Sequence, residues 1–229
     1  TPAFATRWLV TRLAGFQREY PRLQLRIVAS PSPVDFEQED VDVAIRLGRG
    51  AFGGVQSYEL FREWIAPVAT PAFLRQHRLR KPADIARLPL VHDESMRRAG
   101  RPQGWREWFR SAGVAQADLR RGTHFDDGHL ALQAAAAGGG IALGRLVYAM
   151  DDLAARRLRI AVPPLLEMDV SYYLLVPEIR ANRPAVMAFR QWIEGEAAVF
   201  RSSFAKLVGR ESAAVRRAGA SRGTRRTSR

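Results

Sequence analysis

The densest run of side chains that could do chemistry is His124-Phe125-Asp126-Asp127-Gly128-His129. Imidazole and carboxylate are donors that divalent metals take, so His124, Asp126, Asp127 and His129 are all possible ligands. The same residues fit a simpler role, in which Asp126 or Asp127 caps a helix starting near Gly128. The cap accounts for the residue types without an ion, and no other ligand pair has supporting spacing, so no metal is expected. Gly138-Gly139-Gly140 invites a phosphate-loop reading. Its order is wrong, because it follows a helical stretch and precedes a strand, whereas a phosphate cradle runs strand, glycine turn, helix. A helix C-cap with a tight turn fits better. The chain has no cysteine, which excludes disulfides, thiolate zinc sites and Cys nucleophiles. No Gly-x-Ser-x-Gly elbow occurs. With no recognisable nucleophile and base set, neither an enzyme nor a cofactor is expected.

Helix starts are the more useful signal. Three follow expected strand ends, at residues 2–5, 30–36 and 126–129. In α/β sheets the ligand crevice lies beyond the carboxyl ends of the strands, and helix N-termini there offer free N–H groups and a positive dipole. The elements that would hold them read as follows. Leu9, Leu13, Phe16 and Tyr20, with Trp8, give a helical stripe over 3–19 that Pro21 ends. Leu23, Leu25, Ile27 and Ala29 alternate as in a strand, and Ser30-Pro31-Ser32-Pro33 is a loop. Val41, Val43, Ile45 and Leu47 alternate again up to Gly48 and Gly50. Strands are expected near 55–62, 64–70, 90–92, up to 125, 141–143, 158–162 and 170–176. Helices are expected from Pro71 and Pro82, around Trp105, Trp108 and Phe109, and over 128–137, 146–154 and 184–200. This alternation predicts an α/β fold with largely parallel sheets.

Composition sets the outer bounds. The chain has 229 residues, 36 Lys+Arg against 23 Asp+Glu, and 47% hydrophobic residues. That suits one large domain or two lobes with their own cores. No apolar run reaches the length that spans a bilayer, so no membrane partner is expected. The net charge of +13 is uneven, with nine basic residues and only Glu211 acidic in residues 201–229. From Ser212 onward the chain is Ala, Arg, Ser, Gly and Thr with a single Val, which predicts a disordered tail. Such a tail could make weak, non-specific contact with nucleic acid or serve only as a solubilising extension. The chain begins at Thr1 with no visible signal peptide, which fits a removed or missing N-terminal piece.

Several segments together resemble the effector-binding domain of LysR-type transcriptional regulators. They are Phe4-Ala5-x-x-Trp8-Leu9-x-x-x-Leu13 with Phe16 and Pro21, then Val34-Asp35-Phe36, and Glu39-Asp40-Val41-Asp42-Val43-Ala44-Ile45-Arg46-x-Gly48-x-Gly50. Further matches are Ala66-Pro67-Val68 with Pro71, Trp105-x-x-Trp108, Phe125-Asp126, Ala134-Ala135-x-x-Gly138-x-Gly140-Ile141-Ala142-Leu143-Gly144, and Tyr172-Tyr173-Leu174. The resemblance covers about residues 1–197 and is most specific for the branch holding the glycine-cleavage and β-lactamase regulators.

That resemblance implies a two-lobed fold like the type 2 periplasmic binding proteins. Lobe I would comprise 1–69 and 171–200, and lobe II 70–170, joined by crossover strands near 66–70 and 168–173. It implies a small-molecule effector held between the lobes by Ala3, Phe4, Ser30, Asp35, Arg46, Gly48, Phe125, Asp126, Asp127, Gly128 and Tyr172. It implies a cytoplasmic homodimer, tetrameric at full length, in which the first helix of one chain meets the 128–137 helix of the other. DNA would be read only by an N-terminal winged helix-turn-helix that this chain lacks. Many members carry a hydroxyl residue where this chain has Ala3, and again at Asp127 and Gly128. An ionised Asp127 in the cleft would favour a cationic, zwitterionic or neutral effector over a simple dicarboxylate; alternatively Asp127 turns away to cap the helix. A periplasmic solute-binding protein of a transporter shares the fold and is the competing reading. Against it, Phe4, Trp8 and Phe16 exceed what a monomer's core should need, which points to a dimer face.

Overall fold

A computed structural model describes residues 1–95 and 104–223. The chain opens with one helical stretch, α1, made of four successive pieces. Pro2–Phe4 is α-helical, Ala5–Leu9 is a π-helical turn, Val10–Arg12 is a 3-10 turn, and Leu13–Glu19 is α-helical. Widened and tightened turns change which side chains share a face, because the residue spacing departs from 3.6 per turn. Here they bring Phe4, Trp8, Leu9 and Phe16 together into the interior. Phe4 stacks on Trp8, Trp8 meets Phe61 and Phe200, and Phe16 meets Phe189 and Trp192. The expectation that Phe4, Trp8 and Phe16 exceed a single chain's core is therefore corrected. All three are at most 2% exposed within one copy, because the closing helix supplies aromatic partners for Trp8 and Phe16, and Phe61 and Tyr172 supply them for Phe4.

Residues 21–43 contain no strand, contrary to the reading of 23–29. Alternation makes a ribbon two-faced, but a strand also needs a neighbour's backbone to take its N–H and C=O groups. No such ladder reaches these residues, and Leu25, Ile27 and Val28 are exposed. The first strand is β1, Ala44–Gly48, as the Val41–Leu47 alternation predicts in part. The two strands expected at 55–62 and 64–70 are one, β2, Val55–Ala69. Register shifts at Glu59/Phe61 and Arg62/Trp64 interrupt its alternation and account for the apparent break.

After β2, Thr70 caps helix α2, Pro71–His77, by accepting from the Phe73 N–H. Helix α3, Pro82–Ile85, and strand β3, Leu90–Asp93, follow. Next come α4, Trp105–Ser111, and β4, Gly122–Phe125, then α5, Gly128–Ala136, and β5, Ile141–Arg145. Helix α6, Leu146–Ala154, is followed by β6, Arg159–Ile160, and the long β7, Leu166–Pro177. Helix α7 closes the described chain from Pro184 to Gly223.

The strands form one seven-stranded sheet in the order β1-β7-β2-β5-β3-β4, with β6 beside β2. Among the described residues only β3–β4 and β3–β5 are parallel. The expectation of largely parallel sheets is corrected, because β2 and β7 run antiparallel past each other from Val55↔Pro177 to Ile65↔Leu166. Helix α7 also corrects the disordered tail as far as residue 223. Phe204 stacks with Trp64 and Phe200, so the helix stays anchored beyond residue 200. Beyond it Ala and Arg are good helix formers and no proline intervenes, so an anchored helix propagates at low cost. Residues 224–229, the rest of the expected tail, lie outside the described part.

Candidate functional site

The start of α1, the end of β1, the start of α5 and the middle of β7 converge near one point. The charges of Arg46, Arg145 and Asp127 all act at the beginning of α1, which places these side chains near it. Ala3 and Phe4 are both buried there. Phe4 lies 4.6 Å from the Tyr172 ring and 5.2 Å from Trp8, so it forms part of an aromatic floor.

The loop before β1 closes on itself. Ser30 Oγ accepts from the Ser32 N–H at 3.1 Å. Asp35 Oδ1 accepts from the N–H groups of Glu37 and Gln38, while the Asp35 N–H donates to Glu39 Oε1. Both candidates thus act as turn caps. Arg46 on β1 donates to the Ser32 carbonyl at 2.6 Å. It is half-buried, and burial lowers its pKa. No carboxylate lies within salt-bridge distance of it among the described residues. At Gly48 a Cβ would fall 2.5 Å from the Phe52 ring, so a side chain there would displace that ring.

On the facing side Asp127 caps α5, its Oδ1 accepting from His129 N–H at 2.7 Å and Leu130 N–H at 3.3 Å. Of the two roles open to Asp127, the capping one is present. Gly128 begins the helix under the Asp93 carboxylate, where a Cβ would lie 2.5 Å from Asp93 Oδ2. Phe125 is half-buried at the end of β4 and Asp126 follows it. The sequence grouping of His124, Asp126, Asp127 and His129 comes apart. Asp127 is committed to its cap, and His124 instead bonds Glu94.

Behind the convergence lies a buried polar network that the sequence reading missed. Tyr172 on β7 donates to Glu63 Oε2 on β2 at 3.1 Å, and its hydroxyl lies 2.9 Å from that of Tyr148 on α6. Arg145, at the end of β5, donates to Glu63 Oε2 at 2.9 Å and to the Tyr172 hydroxyl. Glu63 Oε1 accepts from the N–H groups of Trp64 and Val147. Burial pushes the Glu63 carboxyl up, opposed by Arg145 and by these two N–H groups. Burial alone would lower Arg145, but the Glu63 and Asp93 carboxylates hold it above its ordinary value. Burial likewise raises Tyr148 and Tyr172, so both remain neutral hydroxyls. The available signal was Glu63, which with Arg62 interrupts the otherwise apolar stretch Leu60 to Val68. The candidate cleft is thus polar at its base, cationic at Arg46 and edged by two helix starts.

Comparison with known proteins bears on the family and the fold. The family model described as the LysR substrate binding domain matches residues 1–198. The glycine cleavage system transcriptional activator of Escherichia coli (strain K12) is 35% identical over 204 residues, which cover 89% of this chain and 65% of that protein. The transcriptional activator AmpR of Pseudomonas aeruginosa is 34% identical over 198 residues, covering 86% of this chain and 64% of AmpR. The X-ray structure of the effector domain of that AmpR superposes with a TM-score of 0.71 at 31% identity, covering 90% of this chain and 95% of that domain. The AmpR effector-binding domain from Citrobacter freundii gives 0.69 at 27% identity, covering 86% of this chain and 94% of that domain. These relatives are transcriptional activators rather than transport proteins, and this chain spans about 65% of their length. In sequence and in fold alike, the chain belongs to the LysR substrate-binding domain family.

Proposed function

We propose that this chain is the sensing part of a LysR-type transcriptional regulator, without catalytic activity, and that a small anionic effector binds against Arg46. The observation that carries the proposal is Arg46 itself, half-buried near the start of α1, whose guanidinium among the described residues bonds the Ser32 carbonyl and no carboxylate. A desolvated guanidinium with spare donors is a strong site for a carboxylate or phosphate. Asp127 caps α5 with its carboxylate taking two N–H groups, so the proposal seats an anion on Arg46 rather than an amine on Asp127. The remaining contacts would come from Ala3, Ser30, Asp35, Gly48, Phe125, Asp126, Gly128 and Tyr172, with Phe4 as the floor.

In this reading residues 1–69 and 171–200 form one lobe and 70–170 the other, with β2 and β7 as the crossover strands. Effector binding would shift the angle between the lobes and with it the geometry of a homodimer, tetrameric at full length. DNA contact would belong to a module in the part of the relatives that this chain does not span, in a cytoplasmic protein. Among the described residues no helix is long and apolar enough to cross a membrane.

The test is a thermal-shift screen of carboxylates, amino acids, phosphate esters and amines, followed by calorimetry on the chain and on Arg46→Gln. The proposal expects an anionic compound to bind and its affinity to fall at least about tenfold in Arg46→Gln. Stabilisation by amines alone, or an anion that binds Arg46→Gln equally well, would refute it.

A further inference from the structure

The parallel pairing of β3 with β4 sets His92 directly opposite His124. Residues opposite in register share a face, and residue i+2 along the strand direction shares it again, so Glu94 joins them just past the end of β3. Their neighbours Asp93 and Phe125 point the other way, towards α5, as the closeness of Asp93 to Gly128 requires. The two imidazole rings stack with centroids 4.0 Å apart and planes 3° from parallel. His124 Nδ1 lies 2.9 Å from Glu94 Oε1. His92 Nε2 has only a weak contact, 3.5 Å from the Arg121 carbonyl oxygen. One donor atom from each of His92, Glu94 and His124 lies within 4.8 Å of the other two.

The geometry points to a divalent transition-metal site made by His92, Glu94 and His124. Two imidazole nitrogens and one carboxylate oxygen are the donor set of zinc and its borderline neighbours, not of calcium or magnesium. With metal–ligand bonds of about 2.0–2.2 Å, tetrahedral donors stand roughly 3.3–3.5 Å apart. The three donor atoms lie within 4.8 Å of one another, so binding an ion would require the stacked rings to rotate until their in-plane lone pairs converge. The His92 side chain is nearly buried while 48% of the His124 side chain is exposed. The ion would therefore sit at the sheet's rim, with a fourth position open to water or an outside ligand. The site is distinct from the cleft, on the opposite face of β3 and β4, and does not depend on the effector reading.

The experiment uses the 229-residue chain without an affinity tag, titrated with Zn²⁺ alone by calorimetry and with Co²⁺ alone by visible absorption. The expected result is one equivalent bound, with the d–d absorption of a low-coordinate cobalt site. His124→Ala and Glu94→Gln, both at partly exposed positions, should each weaken binding at least about tenfold. His77→Ala should leave it unchanged. Circular dichroism confirms that each variant is folded. No binding by either ion would overturn the assignment. Binding that survives both His124→Ala and Glu94→Gln would overturn it equally, by placing the ion elsewhere.

Discussion

Replacing Glu63 with glutamine tests whether the network beneath the cleft ties the sheet together. Glu63 is fully buried and accepts from Arg145 at 2.9 Å, Tyr172 at 3.1 Å, Trp64 N–H at 3.1 Å and Val147 N–H at 3.3 Å. Glutamine keeps the shape but turns one acceptor atom into a donor that must face other donors, and it leaves the buried Arg145 without its counter-charge. Removing one partner of a buried ion pair costs about 3–5 kcal/mol. For a chain of this size each kcal/mol lowers Tm by roughly 2–4 °C, so a fall of about 6–20 °C is expected. Scanning calorimetry of the single variants Glu63→Gln and Arg145→Met and of the double variant measures the coupling. The double variant should be less destabilised than the two single losses added together, because neither charge is then stranded. The exposed pair Arg62–Glu167 joins β2 to β7 one residue away, so Glu167→Gln is the control and should leave Tm unchanged. A Glu63→Gln variant that loses less than about 1 kcal/mol, or strict additivity in the cycle, refutes the argument.

Backbone space gives a second prediction. Gly122 has φ +128° and a Cβ there would lie 1.7 Å from the Leu90 carbonyl oxygen, so Gly122→Ala should break the β3–β4 pairing and markedly lower Tm. Gly195 lies in α7 with nothing near its Cβ position, so Gly195→Ala should stabilise by roughly 0.5–1 kcal/mol in the same denaturation assay. A third concerns association. Val10 on α1 and Leu130 on α5 are 53% and 49% exposed, and the proposed dimer would cover both. Val10→Arg with Leu130→Glu should shift the mass measured by light scattering from dimer to monomer, while an unchanged dimer would place the interface elsewhere.

Much of the fold was legible because apolar spacing tracks burial where an element packs on one side. The helices at 71–77, 105–111 and 146–154 and the strand at 90–93 all follow their periodicity closely. The failures share a physical origin, in that each depended on a partner distant in sequence. Residues 23–29 alternate well but lack a paired backbone. Phe16 resembled surplus surface until Phe189 and Trp192 supplied its pocket. Helix α7 outran its expected end because Trp64, about 140 positions away, receives Phe204. The site divides in the same way. Asp127 was recognisable as a cap from its place before a helix, whereas Glu63, Arg145 and Tyr148 meet only across β2, β5 and α6.

The charge of the cleft follows from where its carboxylates are spent. Asp35 and Asp127 both accept backbone N–H groups, which fix where their carboxylates point without removing their charge. Glu63 is matched by Arg145 within the base of the cleft. Arg46 has one carbonyl and no counter-ion at contact distance among the described residues. A hydrogen bond to a carbonyl satisfies a donor but does not neutralise a charge, and half-burial strips away water that would otherwise screen it. The proposed anionic effector would be drawn to Arg46, whereas the acids of the sequence taken alone favour a cationic, zwitterionic or neutral one, and the two effectors are told apart by the binding screen on the chain and on Arg46→Gln.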